Sequence, residues 1–99
     1  MIIEKNKIVT IKLVTGEEII GKIFDHNENK IIVQKPLVIM MSPQGLAFAT
    51  FVPTMDHSNN VEIDKNNIIV IGPTNDKVAK EYSNATSPIK TPPKSSLIV

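Results

Sequence analysis

The sequence contains no cysteine and no arginine, and each absence excludes a class of site. Without cysteine there is no disulfide framework and no cysteine-based zinc site. Without arginine the chain lacks the side chain that best holds phosphate or guanine through two parallel hydrogen bonds, because all 11 of its basic residues are lysine. These absences disfavour sequence-specific DNA binding.

Long apolar runs are also missing, as are the features of a secretion signal. No stretch approaches the roughly 18 apolar residues that a membrane-spanning helix needs. The first five residues lack the basic start and apolar core of a signal peptide. We therefore expect a cytoplasmic protein without a membrane partner.

The chain is short and nearly neutral, with 99 residues and a formal net charge of +1. A chain of this length removes only about two-thirds of its unfolded surface from water, so shared apolar surface between subunits would stabilise it. A net charge this small also means that any nucleic-acid binding must use a local surface.

Alternating apolar residues predict two strands, 8–13 and 17–25, joined by a tight turn at Thr15-Gly16 into a hairpin. A glycine inside a strand has no side chain to pack. Gly21 is therefore expected at a sharp bend or bulge where another strand crosses closely. On the second strand, the face opposite Gly21 carries Ile20, Lys22 and Phe24.

Three further strands are predicted, at 30–41, 46–52 and 68–71, with 61–64 as a short extended piece. Pro36 interrupts the first of them and is expected at a bulge or a strand edge, because proline cannot donate to the ladder. A short helix is predicted from 76 to 84, capped by Thr74 or Asn75.

This pattern predicts an all-β fold: a small, strongly bent, five-stranded SH3-like barrel followed by a short helix. Residues 1–85 would form this one domain. The segment 86–99 is rich in proline, serine and threonine and is expected to be disordered. Pairing of Leu97-Ile98-Val99 with a sheet edge is the alternative.

Two loops hold residue types used in hydrolysis or metal binding, Asp25-His26 and Asp56-His57-Ser58. Consecutive residues in an extended loop point apart, so catalysis would require the two loops to converge. The spacing also fits no common metal site, and no glycine-rich phosphate loop is present. We expect no enzyme activity, no metal and no cofactor.

One segment resembles a known family. The pattern Gly16-x-x-x-x-Gly21-x-Ile23, followed by Phe24-Asp25-x-x-x-Asn29-x-x-Ile32, resembles the first motif of Sm and Lsm proteins. The run Ile68-Ile69-Val70-Ile71-Gly72 is similar to the second motif, with isoleucine where the family has arginine. The proline-interrupted third strand and the late helix are most similar to the Sm-like proteins of marine phages, which would place the protein in the host cytoplasm.

The resemblance implies a ring. In this family the fourth strand of one subunit pairs with the fifth strand of the next, which here assigns the interface to residues 46–52 and 68–71. Such a homo-oligomer closes on itself, with roughly five to seven subunits, and leaves no free sheet edge.

The resemblance also implies a single-stranded RNA site, or possibly a DNA site, in the loops that line the pore. Asn27 and Asn29 would contact base edges, Asp25 would hold the loop, and His26 would stack on a base. The remaining expected site residues are Lys22 and Lys30, which would meet phosphate, and Gly72 and Thr74 in the second loop.

A second hypothesis keeps the barrel but not the RNA site. Glu28 stands where the family commonly has methionine, and Asn27 takes the place of the usual base-stacking residue. With these changes and the low net charge, the chain would be a protein-interaction or assembly module.

Overall fold

A computed structural model describes residues 3–87 of the chain. It has six strands, one turn of 3-10 helix at Lys65–Asn67 and one α-helix, α1, at Asp76–Thr86. The strands are β1 (Ile8–Leu13), β2 (Glu18–His26), β3 (Lys30–Ser42), β4 (Gly45–Thr50), β5 (Val61–Asp64) and β6 (Ile68–Pro73). The all-β prediction is confirmed.

The expected number of strands is wrong, since there are six rather than five. Val61–Asp64 is a full strand that pairs with the first part of β3, while β4 pairs with the second part. A bend in β3 separates the two parts, so each needs its own partner. The pairing of β5 with β3 buries the side chains of Val61 and Ile63.

The sheet is antiparallel throughout, in the order β4-β3-β2-β1-β6, with β5 beside β3 off this path. Within residues 3–87, β4 and β6 each have one partner strand and do not pair with each other. The sheet is therefore not closed, and β4 and β6 are its two ends.

The predicted alternation along β1 and β2 determines which of their side chains face the core. Their inward side chains pack with those of β3 and β5, because residues two apart lie on the same face. The buried core cluster consists of Val9, Ile11, Leu13, Ile19, Ile23, Ile31, Val33, Val61 and Ile63.

Gly21 lies at a bulge, as predicted. Ile20 pairs with Leu37 and Lys22 with Gln34, so the two residues between Gln34 and Leu37 lie opposite Gly21 alone. A Cβ at Gly21 would collide with the side chain of Val33. The close crossing of β2 and β3 therefore requires glycine.

The two extra residues in this bulge are Lys35 and Pro36, which confirms the position expected for the proline. Lys35 has a φ of 48°, in the left-handed region, and Pro36 is buried. The bulge is the bend that divides β3 into its two halves.

Helix α1 is fastened to this bulge by Tyr82. The Tyr82 hydroxyl donates to the carbonyl oxygens of Lys35, at 2.8 Å, and of Gln34, at 3.1 Å. Of the two predicted caps, Asn75 is the one that caps the helix, and its side-chain oxygen accepts from the N–H of Val78 at 2.9 Å. Ile20 lies on the outer face of β2 and is nevertheless fully buried.

The predicted end of the helix at Asn84 is two residues too early, because α1 continues to Thr86. Its hydroxyl donates to the Tyr82 carbonyl at 2.9 Å, and its own carbonyl accepts from the Lys35 ammonium at 3.1 Å. These contacts extend the last turn. The rest of the predicted tail, 88–99, lies outside the described residues.

No helix in the part of the chain that the structure describes is long and apolar enough to span a bilayer.

Candidate functional site

The loop between β2 and β3 is closed by its own hydrogen bonds. The side-chain oxygen of Asn27 accepts from the backbone N–H groups of Asn29 and Lys30, both at 2.9 Å. The Asn27 N–H in turn donates to the Lys30 carbonyl at 2.9 Å. Asn27 therefore organises the turn, and only its NH₂ group is left for a ligand.

Asp25 holds the base of this loop. Its carboxylate accepts from the His26 N–H at 2.8 Å and pairs with the Lys5 ammonium at 3.4 Å. The hydrogen bond from His26 is the main reason that the pKa of Asp25 lies below its ordinary value. The carboxylate thus stays charged and committed to the loop.

The exposed groups of the loop are those of Asn29 and its neighbours. The Asn29 side chain is exposed and makes no hydrogen bond within residues 3–87, and neither does the half-buried imidazole of His26. Lys30, also half-buried, forms no ion pair with any described residue. One loop therefore presents the amide of Asn29 and the imidazole of His26 without hydrogen bonds, and the ammonium group of Lys30 without an ion pair, among the described residues.

The second predicted segment lies on the other side of β1. Ile8 pairs with Lys22 on β2, and its carbonyl accepts from the Thr74 N–H at 3.2 Å. The Thr74 hydroxyl hydrogen-bonds that of Thr10 at 2.9 Å, and Thr10 pairs with Gly72. Lys22, Gly72 and Thr74 thus form a second group, separate from the loop.

The two groups share one end of the sheet. Strands β2 and β6 are both antiparallel to β1, so they run in the same direction on either side of it. The C-terminal ends of β2 and β6 therefore lie at the same end of the sheet. Strand β2 continues past β1, which places the loop of Asn27 and Asn29 farther out than Gly72 and Thr74.

Phe24 is a candidate binding residue that the sequence patterns did not assign to the site. It lies at a register shift between Ile23 and Asp25 and is 48% exposed. The shift interrupts the alternation of β2 just before the loop. The only signal in the sequence was that Phe24, one of just four aromatic residues in the chain, directly precedes Asp25.

Lys65 is a second residue that the sequence patterns missed. Its backbone N–H donates to the Asn29 carbonyl at 2.8 Å, which joins the 3-10 turn to the loop. This contact depends on the pairing of Lys30 with Asp64 between β3 and β5. No local pattern predicts a contact between residues so far apart in the chain.

The loop that contains His57 is held by different contacts. The His57 ring hydrogen-bonds the Val52 carbonyl at 3.0 Å, and the Ser58 hydroxyl donates to the Asp56 carboxylate at 2.6 Å. His57 lines a small cavity with Leu37, Thr50 and Thr86, among others, and no residue of the loop 26–30 takes part. Among residues 3–87, no three histidine or acidic side chains form a group that would bind a metal.

No protein-family model matches the sequence, and no curated protein is significantly similar to it.

Proposed function

We propose that this protein is a ring-forming, Sm-like protein that binds single-stranded RNA and is not an enzyme. The observation that carries the proposal is the strand order, which leaves β4 and β6 as the two ends of the sheet. These are the strands that the resemblance to Sm proteins pairs between neighbouring subunits. A ring would provide the free edges of β4 and β6 with partners.

The side chains on the two edge strands support this pairing. Ile69 and Val70 on β6 are 59% and 57% exposed, and Leu46 on β4 is 42% exposed. Both strands are six residues long, so they match in length. Long apolar edges are an aggregation hazard unless a partner covers them, and a closed ring is one such cover.

The loop between β2 and β3 supports the RNA proposal. Its backbone is satisfied from within, so the Asn29 amide is free to meet a base edge. Phe24 and His26 offer rings for stacking, and Lys30 offers charge for phosphate. Stacking contributes about 1 to 3 kcal/mol per base, and a ring repeats each contact in every subunit.

The ring is tested by mass. Light scattering of the wild-type chain should give a multiple of 10.9 kDa. Val70→Lys adds charge to the β6 edge and should reduce the mass to that of a monomer. Val14→Lys is the matched control, because Val14 is 53% exposed but lies in the turn after β1. A wild-type monomer would contradict the ring.

RNA binding is tested by fluorescence anisotropy with short U-rich and A-rich RNAs and DNAs of the same sequence. Binding should weaken as salt rises, because lysines displace counterions from phosphate. Asn29→Ala should weaken binding without changing stability, since its side chain makes no described hydrogen bond. Asn84→Ala on the exposed face of α1 is the control. No binding at low salt would refute the RNA proposal.

A protein-interaction module is the second candidate. It is favoured by the commitment of the Asn27 oxygen and the Asp25 carboxylate to the loop itself, together with the unpaired Glu28. Carboxylates at the loop repel phosphate. A ring of the expected mass that binds none of the four oligonucleotides would favour this candidate.

A further inference from the structure

An apolar groove of about 340 Å³ lies on the side of the molecule formed by β5, the β1–β2 turn and the loop after β4. Its apolar lining includes Leu13, Val14, Phe51, Val52, Met55 and Ile63. Three of these are substantially exposed: Val14 at 53%, Val52 at 39% and Met55 at 41%. The groove is thus a contiguous apolar surface without a cover among the described residues.

The groove also carries negative charge. Glu62 and Asp64 contribute carboxylates to its lining, and no lysine lines it. Neither carboxylate forms an ion pair with a described residue. A segment that is apolar and preceded by positive charge would complement this surface.

The last twelve residues of the sequence have this chemistry. Leu97-Ile98-Val99 is the apolar part, Lys90 and Lys94 precede it, and the segment contains no acidic residue. Three prolines restrict the chain between the helix and the apolar part. Ordering such a restricted segment costs less conformational entropy than ordering a glycine-rich one.

The segment is long enough to cross much of the molecule, which measures 42 × 30 × 26 Å along its principal axes. Leu97 follows Ser87 by ten residues, and ten residues span at most about 35 Å when extended. Thr86, one residue before the last described one, lines a cavity together with His57. The His57 ring bonds the Val52 carbonyl, and Val52 lines the groove. The loop after β4 thus connects the end of the helix with the groove.

We infer that Leu97-Ile98-Val99 docks in this groove of its own chain, with Lys90 and Lys94 near Glu62 and Asp64. The docked segment covers the exposed side chains of Val14, Val52 and Met55. The site does not depend on the ring or on RNA binding, because the groove includes no residue of β4, of β6 or of the loop 26–30.

The test uses the methionine methyl groups as probes. The chain has four methionines, of which Met55 lines the groove and Met40 and Met41 lie on β3. In the full chain labelled with ¹³C-methyl methionine, L97S/I98S/V99S should displace the Met55 resonance. Met40 and Met41 should stay in place, which shows that the variant is folded. Identical Met55 resonances in the two proteins would overturn the inference.

A synthetic peptide of residues 88–99 gives an independent measurement. Added to L97S/I98S/V99S, it should move the Met55 resonance back towards the wild-type position, and a peptide with serine at 97–99 should not. If the peptide leaves Met55 unmoved at millimolar concentration, the groove does not bind this segment.

Docking within one chain is tested in the Val70→Lys background at two protein concentrations. The Met55 resonance should be the same at both, because an intramolecular contact does not depend on concentration. A shift towards the position of L97S/I98S/V99S on dilution would assign the segment to another copy and overturn docking in its own chain.

Discussion

At the scale of single residues, Gly21 is the only one of the four glycines where an added Cβ would meet a neighbouring strand. Strand β3 passes so close that the side chain of Val33 fills the space where a Cβ would lie, and the Gln34 carbonyl oxygen is 3.3 Å from the same point. The φ of Gly21 is not in the left-handed region. The requirement for glycine is therefore one of space and not of backbone conformation.

Gly21→Ala should lower the free energy of unfolding by about 1 to 3 kcal/mol, because the added methyl group must push β3 away at the bulge. Urea denaturation followed by circular dichroism measures the change. Gly72→Ala is the matched control, since nothing lies within 4 Å of a Cβ there. If both variants lost the same free energy of unfolding, β2 and β3 would not cross closely at Gly21.

Asn27 and Asn29 show that neighbouring residues of one type have different roles. The oxygen of Asn27 accepts two backbone hydrogen bonds, whereas the side chain of Asn29 accepts none. Asn27→Ala should therefore cost about 0.5 to 1.5 kcal/mol of stability. Asn29→Ala should cost nothing measurable in the same urea titration, and an equal loss in both would contradict these roles.

At the scale of elements, α1 is held to the sheet by a single buried side chain. Tyr82 is the only residue of α1 that is buried. Burial raises the pKa of its hydroxyl to about 12, because the ionised form would lose its hydration. The helix therefore depends on Tyr82 remaining protonated.

Tyr82→Phe should cost about 1 to 2 kcal/mol near neutral pH, since the carbonyls of Gln34 and Lys35 lose a donor. The pKa of Tyr82 in the folded chain, about 12, lies above the ordinary 10.0. Its contribution is fully present below pH 10 and is lost as the pH rises towards 12. Wild type and variant should thus differ in urea midpoint at about pH 8 and converge above about pH 11.

The two proteins differ by one hydroxyl group, so the difference between their urea midpoints measures the contribution of Tyr82. A difference that stays constant up to the highest pH would mean that the hydroxyl is not buried at the bulge.

At the scale of the whole molecule, the core is small, and three strands within residues 3–87, β4, β5 and β6, have only one partner strand each. The core cluster has nine residues, and Ile69 and Val70 remain exposed beside it. Burial of apolar area contributes roughly 25 cal/mol per Å². Assembly through the edges would therefore add stability that the single chain lacks.

The melting temperature of the wild-type chain should consequently rise with protein concentration over a range of about a hundredfold, because assembly stabilises only the folded state. Val70→Lys should remove this dependence. Differential scanning fluorimetry measures both. A wild-type melting temperature that does not change with concentration would contradict assembly through the β6 edge.

Much of the fold could be predicted because its signals are local. The alternation of apolar residues predicted β1 and β2, and Gly21 and Pro36 predicted the bulge that bends the sheet. The Asn75 cap predicted the start of α1. The end of α1 was placed too early, because the contact of the Thr86 carbonyl with Lys35 is tertiary.

The candidate site was predicted less completely. The sequence pattern indicated the loop 25–29 and the segment 72–74. Alternation also places Phe24 on the outer face of β2, where it is exposed, but nothing in the pattern assigned it to the site. The contact between Lys65 and Asn29 required β5 to be recognised as a strand. Its four residues are too few to show a clear period.

The sequence by itself determined where this chain forms strands, turns and a helix, because side-chain period, glycine, proline and capping act between residues close in the chain. Only the tertiary structure decided that β3 has two partners, that β4 and β6 are left as edges, and that Asn27 is bound to its own turn while Asn29 is free. These outcomes depend on which distant strands meet. That choice is made by packing of the whole core and not by any local preference.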